Sequence, residues 1–78
     1  MMTVREAAAT IKGFDEYAVC YSGNAYLFDP NDAFQMAAYG DFDVKSVTNV
    51  QYPTDEGKPI SRVEFYIACV PTKNGVPV

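Results

Sequence analysis

The sequence predicts a single α+β domain that spans residues 1–78, with two short helices and a four-stranded, mostly antiparallel sheet. Three observations predict this class. Two segments have the helical spacing of apolar residues between a capping residue and a glycine. Four segments are rich in β-branched and aromatic residues. These segments follow one another in the order α-β-β-α-β-β, which is typical of helices packed together on one face of a sheet.

The first predicted helix begins at a capping box. In this pattern Thr3 caps the helix and Glu6, three residues later, reaches back to the Thr3 amide. The helix is expected to run to about Lys12 and to end at Gly13. Its buried stripe follows the spacing i, i+3, i+4 and i+7, which gives Val4, Ala7, Ala8 and Ile11.

A hairpin is predicted next, with residues 16–21 and 25–28 as its strands and Gly23-Asn24 as its two-residue turn. In this register Tyr21 lies opposite Tyr26, and Val19 lies opposite Phe28. The first face of the hairpin then carries mainly aromatic residues: Tyr17, Val19, Tyr21, Tyr26 and Phe28. The second face carries smaller ones: Ala18, Cys20, Ala25 and Leu27.

The second predicted helix begins after Asp29, which suits the N-cap, and Pro30, which suits the first helical position. Asp32 then lies in the first turn, where a negative charge is favourable. The helix is expected to end at Gly40. Its predicted buried stripe is Ala33, Met36 and Ala37, with Phe34 beside it.

Two further strands are predicted in the second half of the chain. Residues 44–52 are rich in Val and Thr, and residues 61–70 alternate between apolar and polar side chains. A polar loop with two prolines and a glycine, residues 53–59, joins them. Pro71 ends the last strand, and residues 72–78 are expected to form a loose tail. The pattern leaves the order of the strands in the sheet open.

The charge balance bears on the kind of partner. The chain has ten acidic and six basic residues, a net charge of −4, and no cluster of Lys or Arg. We therefore expect no direct binding to nucleic acid or to an anionic membrane, both of which need a basic surface. Arg5 and Glu6 lie where a signal peptide would need an apolar stretch, so a cytoplasmic protein is expected.

The sequence predicts no catalytic site, no metal and no cofactor. It contains no histidine, the commonest general base and zinc ligand. Cys20 and Cys69 have apolar neighbours and no nearby cation, so we expect two buried thiols rather than nucleophiles. Asp29 and Asn31 fit the first two positions of a calcium loop, but the residues after them do not. We therefore expect a protein that is not an enzyme.

The candidate partner-binding residues are tyrosines of the hairpin and aspartates around the second helix: Tyr17, Tyr21, Tyr26, Asp29, Asp32, Asp41 and Asp43. If the helices cover the face with Ala18 and Cys20, the tyrosines are free to contact a protein. If the helices cover the aromatic face, the tyrosines fill the core instead. The four aspartates would form an acidic patch that meets a basic groove.

Three stretches carry a resemblance to known proteins: the helix TVREAAATIK, the hairpin YAVCYSGNAYLFD, and AAYGDFDVKSV, which leads into a strand. With them the chain resembles small uncharacterised proteins of phages and mobile elements, and it is similar in size and charge to small acidic anti-CRISPR inhibitors. The resemblance implies a protein-binding module that occupies a host defence nuclease. The alternative is a non-catalytic accessory or structural domain that forms a homodimer, because the core of so short a chain is small.

Overall fold

The computed structural model describes residues 2–23 and 25–78. These residues form two helices, α1 (Val4–Thr10) and α2 (Ala33–Tyr39). They also form a sheet of four strands: β1 (Glu16–Tyr21), β2 (Ala25–Phe28), β3 (Ser46–Tyr52) and β4 (Ile60–Ile67). A two-stranded hairpin follows, β5 (Thr72–Lys73) and β6 (Val76–Pro77). The predicted α+β class and the order of the first six elements are confirmed.

The four strands lie in the order β2-β1-β4-β3. The outer pairs, β1 with β2 and β3 with β4, are antiparallel hairpins. The two central strands, β1 and β4, run parallel, so the chain crosses from one hairpin to the other through α2. The sheet is therefore mostly antiparallel, as predicted, with one parallel pair at its centre.

Both helices pack on one face of this sheet. The core consists of apolar residues from the helices, the sheet and the segment after α2: Val4, Ala7, Val19, Phe28, Met36, Phe42, Val44, Val63, Phe65 and Ile67. The alternation predicted for β4 is confirmed, since Val63, Phe65 and Ile67 are at most 1% exposed. Burial of each such side chain contributes about 1.5–3 kcal/mol.

The register of the first hairpin differs from the prediction. Val19 lies opposite Phe28 as expected, but Cys20 lies opposite Tyr26 because a bulge makes Leu27 an extra residue in β2. Leu27 thereby packs against the core, and Tyr26 moves to the face of Cys20, where its hydroxyl tolerates water. The predicted turn falls partly on Asn24, which lies outside the described residues.

The capping box of α1 is confirmed. The Thr3 hydroxyl accepts a hydrogen bond from the Glu6 amide at 3.1 Å, and Glu6 accepts one from the Thr3 amide at 3.0 Å. The bond from the Thr3 amide holds the pKa of Glu6 below its usual range. The helix ends at Thr10, with Ile11 as its C-cap, about two residues before the predicted end at Lys12.

The start of α2 lies three residues later than predicted. Asp32, not Asp29, is the N-cap, because its carboxylate accepts from the amides of Phe34 and Gln35 at 3.1 and 3.2 Å. Asp29 instead accepts from the Asn31 amide at 2.8 Å and so closes a turn before the helix. The predicted end at Gly40 is confirmed.

The shifted start also changes which side of α2 faces the sheet. Met36 is buried and Tyr39 is half-buried. These two residues, three positions apart on one side of the helix, form the side of α2 that faces the core. Ala33 and Ala37 were predicted to be buried, but both are exposed. Phe34, which was placed beside the buried stripe, is 84% exposed.

The end of the chain is not a loose tail over residues 72–78. Thr72–Lys73 pairs with Val76–Pro77, and the two residues between them, Asn74 and Gly75, both have positive φ values, 53° and 79°. Asn-Gly is a frequent two-residue hairpin turn because both positions favour this conformation. The sequence therefore contained a local signal for this hairpin.

The last strand of the main sheet is shorter than predicted, which changes the environment of Cys69. β4 ends at Ile67, the residue that pairs with Tyr21 at the end of β1. Cys69 is exposed, and its thiol donates to the Ser22 carbonyl at 3.3 Å. Cys20, in the middle of β1, is buried as predicted.

Candidate partner-binding surface

The structure places the three predicted tyrosines on different sides of the sheet. The helices cover the face with Val19 and Phe28, so Tyr17 and Tyr21 pack against the core. The Tyr17 hydroxyl accepts from the Phe14 amide at 3.2 Å, which fixes the ring at the edge of the core. Tyr26 is 58% exposed on the opposite face. The arrangement in which the helices cover the aromatic face is therefore the observed one.

The four predicted aspartates do not form one patch. Asp29 and Asp32 lie before α2, and Asp41 lies after it, about 10 Å further along the helix axis. Asp41 forms an exposed ion pair with Arg5 at 3.5 Å. Of the four, Asp29 lines the cleft that also contains Tyr26.

Asp43, the fourth predicted aspartate, is only 4% exposed and holds the C-terminal hairpin in place. Its carboxylate accepts from the Thr72 hydroxyl and the Gly75 amide, each at 2.7 Å, and from the Asn74 amide at 3.1 Å. These bonds, the one from Gly75 above all, hold the pKa of Asp43 below its usual range although burial opposes them. Asp43 is therefore a structural anchor.

The face of the sheet away from the helices, here called the open face, carries a connected group of polar and aromatic side chains. The Arg62 guanidinium lies 5.6 Å from the ring centre of Tyr26 and 5.9 Å from that of Tyr52. The same guanidinium forms an ion pair with Glu64 at 3.4 Å. Tyr66 donates its hydroxyl proton to Glu64 at 2.6 Å. Arg62 is thus held between two tyrosines and a carboxylate.

Two groups of the open face, the Cys20 thiol and the Tyr66 hydroxyl, keep their protons at neutral pH. Burial raises the pKa of the Cys20 thiol, and the nearby Glu64 charge raises it further. The hydrogen bond to Glu64 raises the pKa of Tyr66 to about 12. Both groups are therefore neutral, and the charges of this face are those of the arginine and the carboxylates.

At the N-terminal end of β1, the open face borders a cleft of about 440 Å³, here called the acidic cleft. Its lining combines carboxylates, aromatic rings and two other polar side chains: Asp15, Glu16, Asp29, Tyr17, Tyr26, Asn31 and Arg62. Among the described residues, the lining thus has three carboxylates and one cationic side chain, and that cation is already paired with Glu64. The cleft is therefore electronegative.

Short hydrogen bonds to the backbone fix two of the three carboxylates. Asp15 accepts from the Ser61 amide at 2.9 Å, and this bond joins the start of β1 to β4. Asp29 accepts from the Asn31 amide. The third carboxylate, Glu16, lies on β1 directly opposite Arg62 of β4 in the parallel register. The cleft is therefore built on fixed elements of the fold.

Sequence reasoning missed Asp15, Glu16 and Arg62 as members of a site. They lie up to 47 positions apart and come together only because β1 and β4 pair in parallel. The adjacent carboxylates Asp15-Glu16 at the start of a strand were visible in the sequence. Their neighbours depended on the strand order, for which the sequence offered no signal.

No family model, curated protein or solved structure matches this chain. In residues 2–23 and 25–78, no three acidic or cysteine side chains are grouped so that they could hold a metal ion. Within the same residues, neither helix has the length and apolar character needed to cross a bilayer. The geometry of the acidic cleft and the open face is therefore the basis for a functional proposal.

Proposed function

We propose that this chain is a small acidic protein-binding module, and that its acidic cleft receives a basic side chain of a protein partner. The observation that supports this most directly is that Asp15, Glu16 and Asp29 line one cleft together with the exposed Tyr26. Arg62, the cationic side chain in the described lining of the cleft, already forms an ion pair with Glu64. A guanidinium or ammonium group is the ligand that such a lining favours.

Two properties of the lining suit recognition of an arginine. Carboxylates accept paired hydrogen bonds from the planar guanidinium, and charge-assisted bonds of this kind are about twice as strong as neutral ones. An exposed tyrosine adds ring surface for a cation and is a frequent anchor residue in interfaces. The net charge of −4 also speeds the approach of a basic partner.

In its more specific form, the proposal names the partner class. The resemblance to acidic anti-CRISPR inhibitors suggests a host defence nuclease, with the module seated in the basic groove that otherwise holds nucleic acid. The module would then act in the cytoplasm by filling this groove and so keeping nucleic acid out of it. It would neither catalyse a reaction nor bind nucleic acid itself. The small size and the acidic charge of the chain support this form.

The general proposal is tested by titration with an arginine-rich peptide and with the same peptide containing citrulline in place of arginine. Glu16→Gln and Asp29→Asn are each expected to weaken binding of the arginine peptide about threefold to tenfold. Asp55→Asn removes the same charge from an exposed residue outside the cleft lining, and its effect should be less than twofold. Equal effects of all three variants, or equal binding of the citrulline peptide, would contradict recognition by the cleft.

The specific proposal is tested by DNA cleavage with a purified CRISPR nuclease of a bacterial host. A concentration for half-maximal inhibition that rises about threefold to tenfold in Glu16→Gln and stays within about twofold in Asp55→Asn would support it. Uninhibited cleavage by nucleases of every type tried, with the chain in micromolar excess, would reject this form. That result would not bear on the general proposal, which the peptide titration tests separately.

A further inference from the structure

The two edges of the main sheet differ in how well they are protected from pairing with another chain. β2, at one edge, has four residues and a bulge. β3, at the other edge, has seven residues and pairs with β4 in an unbroken register from Ser46–Tyr66 to Tyr52–Ile60. Among the described residues, no strand pairs with the outer side of β3, and residues 2–3 pair with residues 43–44 just before β3 begins. A long regular edge leaves a row of backbone donors and acceptors available.

The composition of β3 does nothing to block such pairing. Proteins protect their edge strands with charged residues, proline, bulges or short length. The strand Ser46–Tyr52 reads SVTNVQY, with no charge, no proline and no glycine. Val47 is 45% exposed and Tyr52 is 38% exposed, so the strand also offers apolar side chains. β3 therefore has the properties of a strand that accepts a partner strand.

We propose that β3 pairs antiparallel with β3 of a second copy of this chain, so that two sheets become one sheet of eight strands. The charges that flank the strand favour a second copy as the occupant. Lys45 precedes β3, and the acidic residues Asp55 and Glu56 follow it, all three exposed. Antiparallel pairing brings Lys45 of each copy towards Asp55 and Glu56 of the other copy, so the pair contains two such oppositely charged contacts.

The register that gives full overlap is centred on Asn49. Ser46 then lies opposite Tyr52 of the other copy, Val47 opposite Gln51, and Thr48 opposite Val50. These pairs join residues of the same face, so a two-fold axis perpendicular to the sheet keeps the helices of both copies on one side. Within the two paired strands no side chain has to change face, and no like charges lie opposite each other because β3 carries no charge.

This pairing does not rest on the proposed function, because the three carboxylates of the acidic cleft lie at the start of β1 and after β2, towards the edge of the sheet opposite β3. In the strand order of the pair, five strand spacings separate the two β1 strands, a distance of about 24 Å. Both clefts stay open in the pair. A dimer would therefore present two acidic clefts, which strengthens binding to a partner with two basic sites.

The test is the mass in solution, measured by sedimentation from about 10 µM to about 1 mM, the range in which small interfaces assemble. The wild-type chain is expected to shift from 8.6 kDa towards twice that mass. Asn49→Lys and Asn49→Glu each place like charges opposite each other at the two-fold axis, and each should remain at the lower mass. An equimolar mixture should regain the higher mass. Ala38→Lys, which adds the same charge at an exposed residue of α2 outside the cleft lining, is the matched control and should behave as the wild type.

Two results would overturn the proposal. One is a wild-type chain that stays at 8.6 kDa over the whole range, in which case an extended segment of another protein becomes the expected occupant of β3. The other is self-association of Asn49→Lys as strong as that of the wild type. The backbone amide resonances of the wild type give a check that needs no variant. With rising concentration, β3 amides should shift, and a shift confined to β2 would place the contact at the wrong edge.

Discussion

The two faces of the main sheet use the same strands for different purposes, and β4 shows this most clearly. On the covered face, Phe65 is fully buried beneath the helices. On the open face, its neighbour Tyr66 donates to Glu64, which also pairs with Arg62. The covered face supplies apolar burial, and the open face supplies fixed polar groups beside the acidic cleft. Stability and recognition can therefore be changed separately in adjacent residues.

The largest expected effect comes from the covered face. Phe65→Ala removes a fully buried ring and leaves a cavity, so the free energy of unfolding should fall by about 3–5 kcal/mol. A domain of this length has roughly that much stability in total. Urea unfolding followed by circular dichroism should therefore show a chain that is mostly unfolded before denaturant is added.

The matched variant on the open face is Tyr66→Phe, which removes one hydroxyl and keeps the ring. Glu64 retains its ion pair with Arg62, so the free energy of unfolding should change by about 1 kcal/mol or less. If the two variants lose similar stability, the separation between the two faces is wrong. The same urea experiment measures both.

An intermediate effect is expected at Asp43, which joins the C-terminal hairpin to the covered layer. Asp43→Asn removes the charge that attracts the amides of Asn74 and Gly75 and the Thr72 hydroxyl, so the melting temperature at neutral pH should fall by about 5 °C or more. Asp41→Asn removes the same charge two residues earlier from an exposed ion pair, and its effect should be smaller.

The difference between wild type and Asp43→Asn should depend on pH in a defined direction. The pKa of Asp43 is lower in the folded state than its ordinary value of 3.8, mainly because the Gly75 amide donates to the carboxylate. The folded chain then binds fewer protons than the unfolded chain, so the stabilisation is complete above that ordinary value and is lost as pH falls through the folded value. Melting temperatures between about pH 6 and about pH 2 should converge at the acidic end. A constant difference would contradict the anchoring role.

The features that sequence predicted well are those set by nearby residues. The capping box at Thr3 and Glu6 and the alternation around Phe65 depend on spacings of two to four positions, and both are present. The C-terminal hairpin was equally local, with Asn74-Gly75 as its signal, but residues 72–78 were predicted to be a loose tail. Its attachment to Asp43, 29 to 32 positions earlier, could not be predicted.

The features that sequence could not predict depend on which strands are neighbours. The acidic cleft exists because β1 and β4 pair in parallel and place Glu16 opposite Arg62. The exposure of Tyr26 depends on a single extra residue in β2, since a regular register would have put it on the aromatic face. A one-residue change in register reverses the face of every later side chain, and turn chemistry alone did not determine it.

A small effect on stability, and the most informative result for recognition, is expected for Arg62→Gln. Its ion pair with Glu64 and its contacts with two tyrosine rings together stabilise the fold by about 1 kcal/mol, because the guanidinium is partly exposed. The variant leaves three carboxylates in the acidic cleft without a cation, so an arginine-rich peptide should bind about threefold to tenfold more tightly. Arg5→Gln removes the same charge on the helix side and should leave that affinity within about twofold. Weaker binding by Arg62→Gln would mean that the arginine holds Tyr26 in its binding position, and it would shift the proposed recognition from the carboxylates to the aromatic part of the open face.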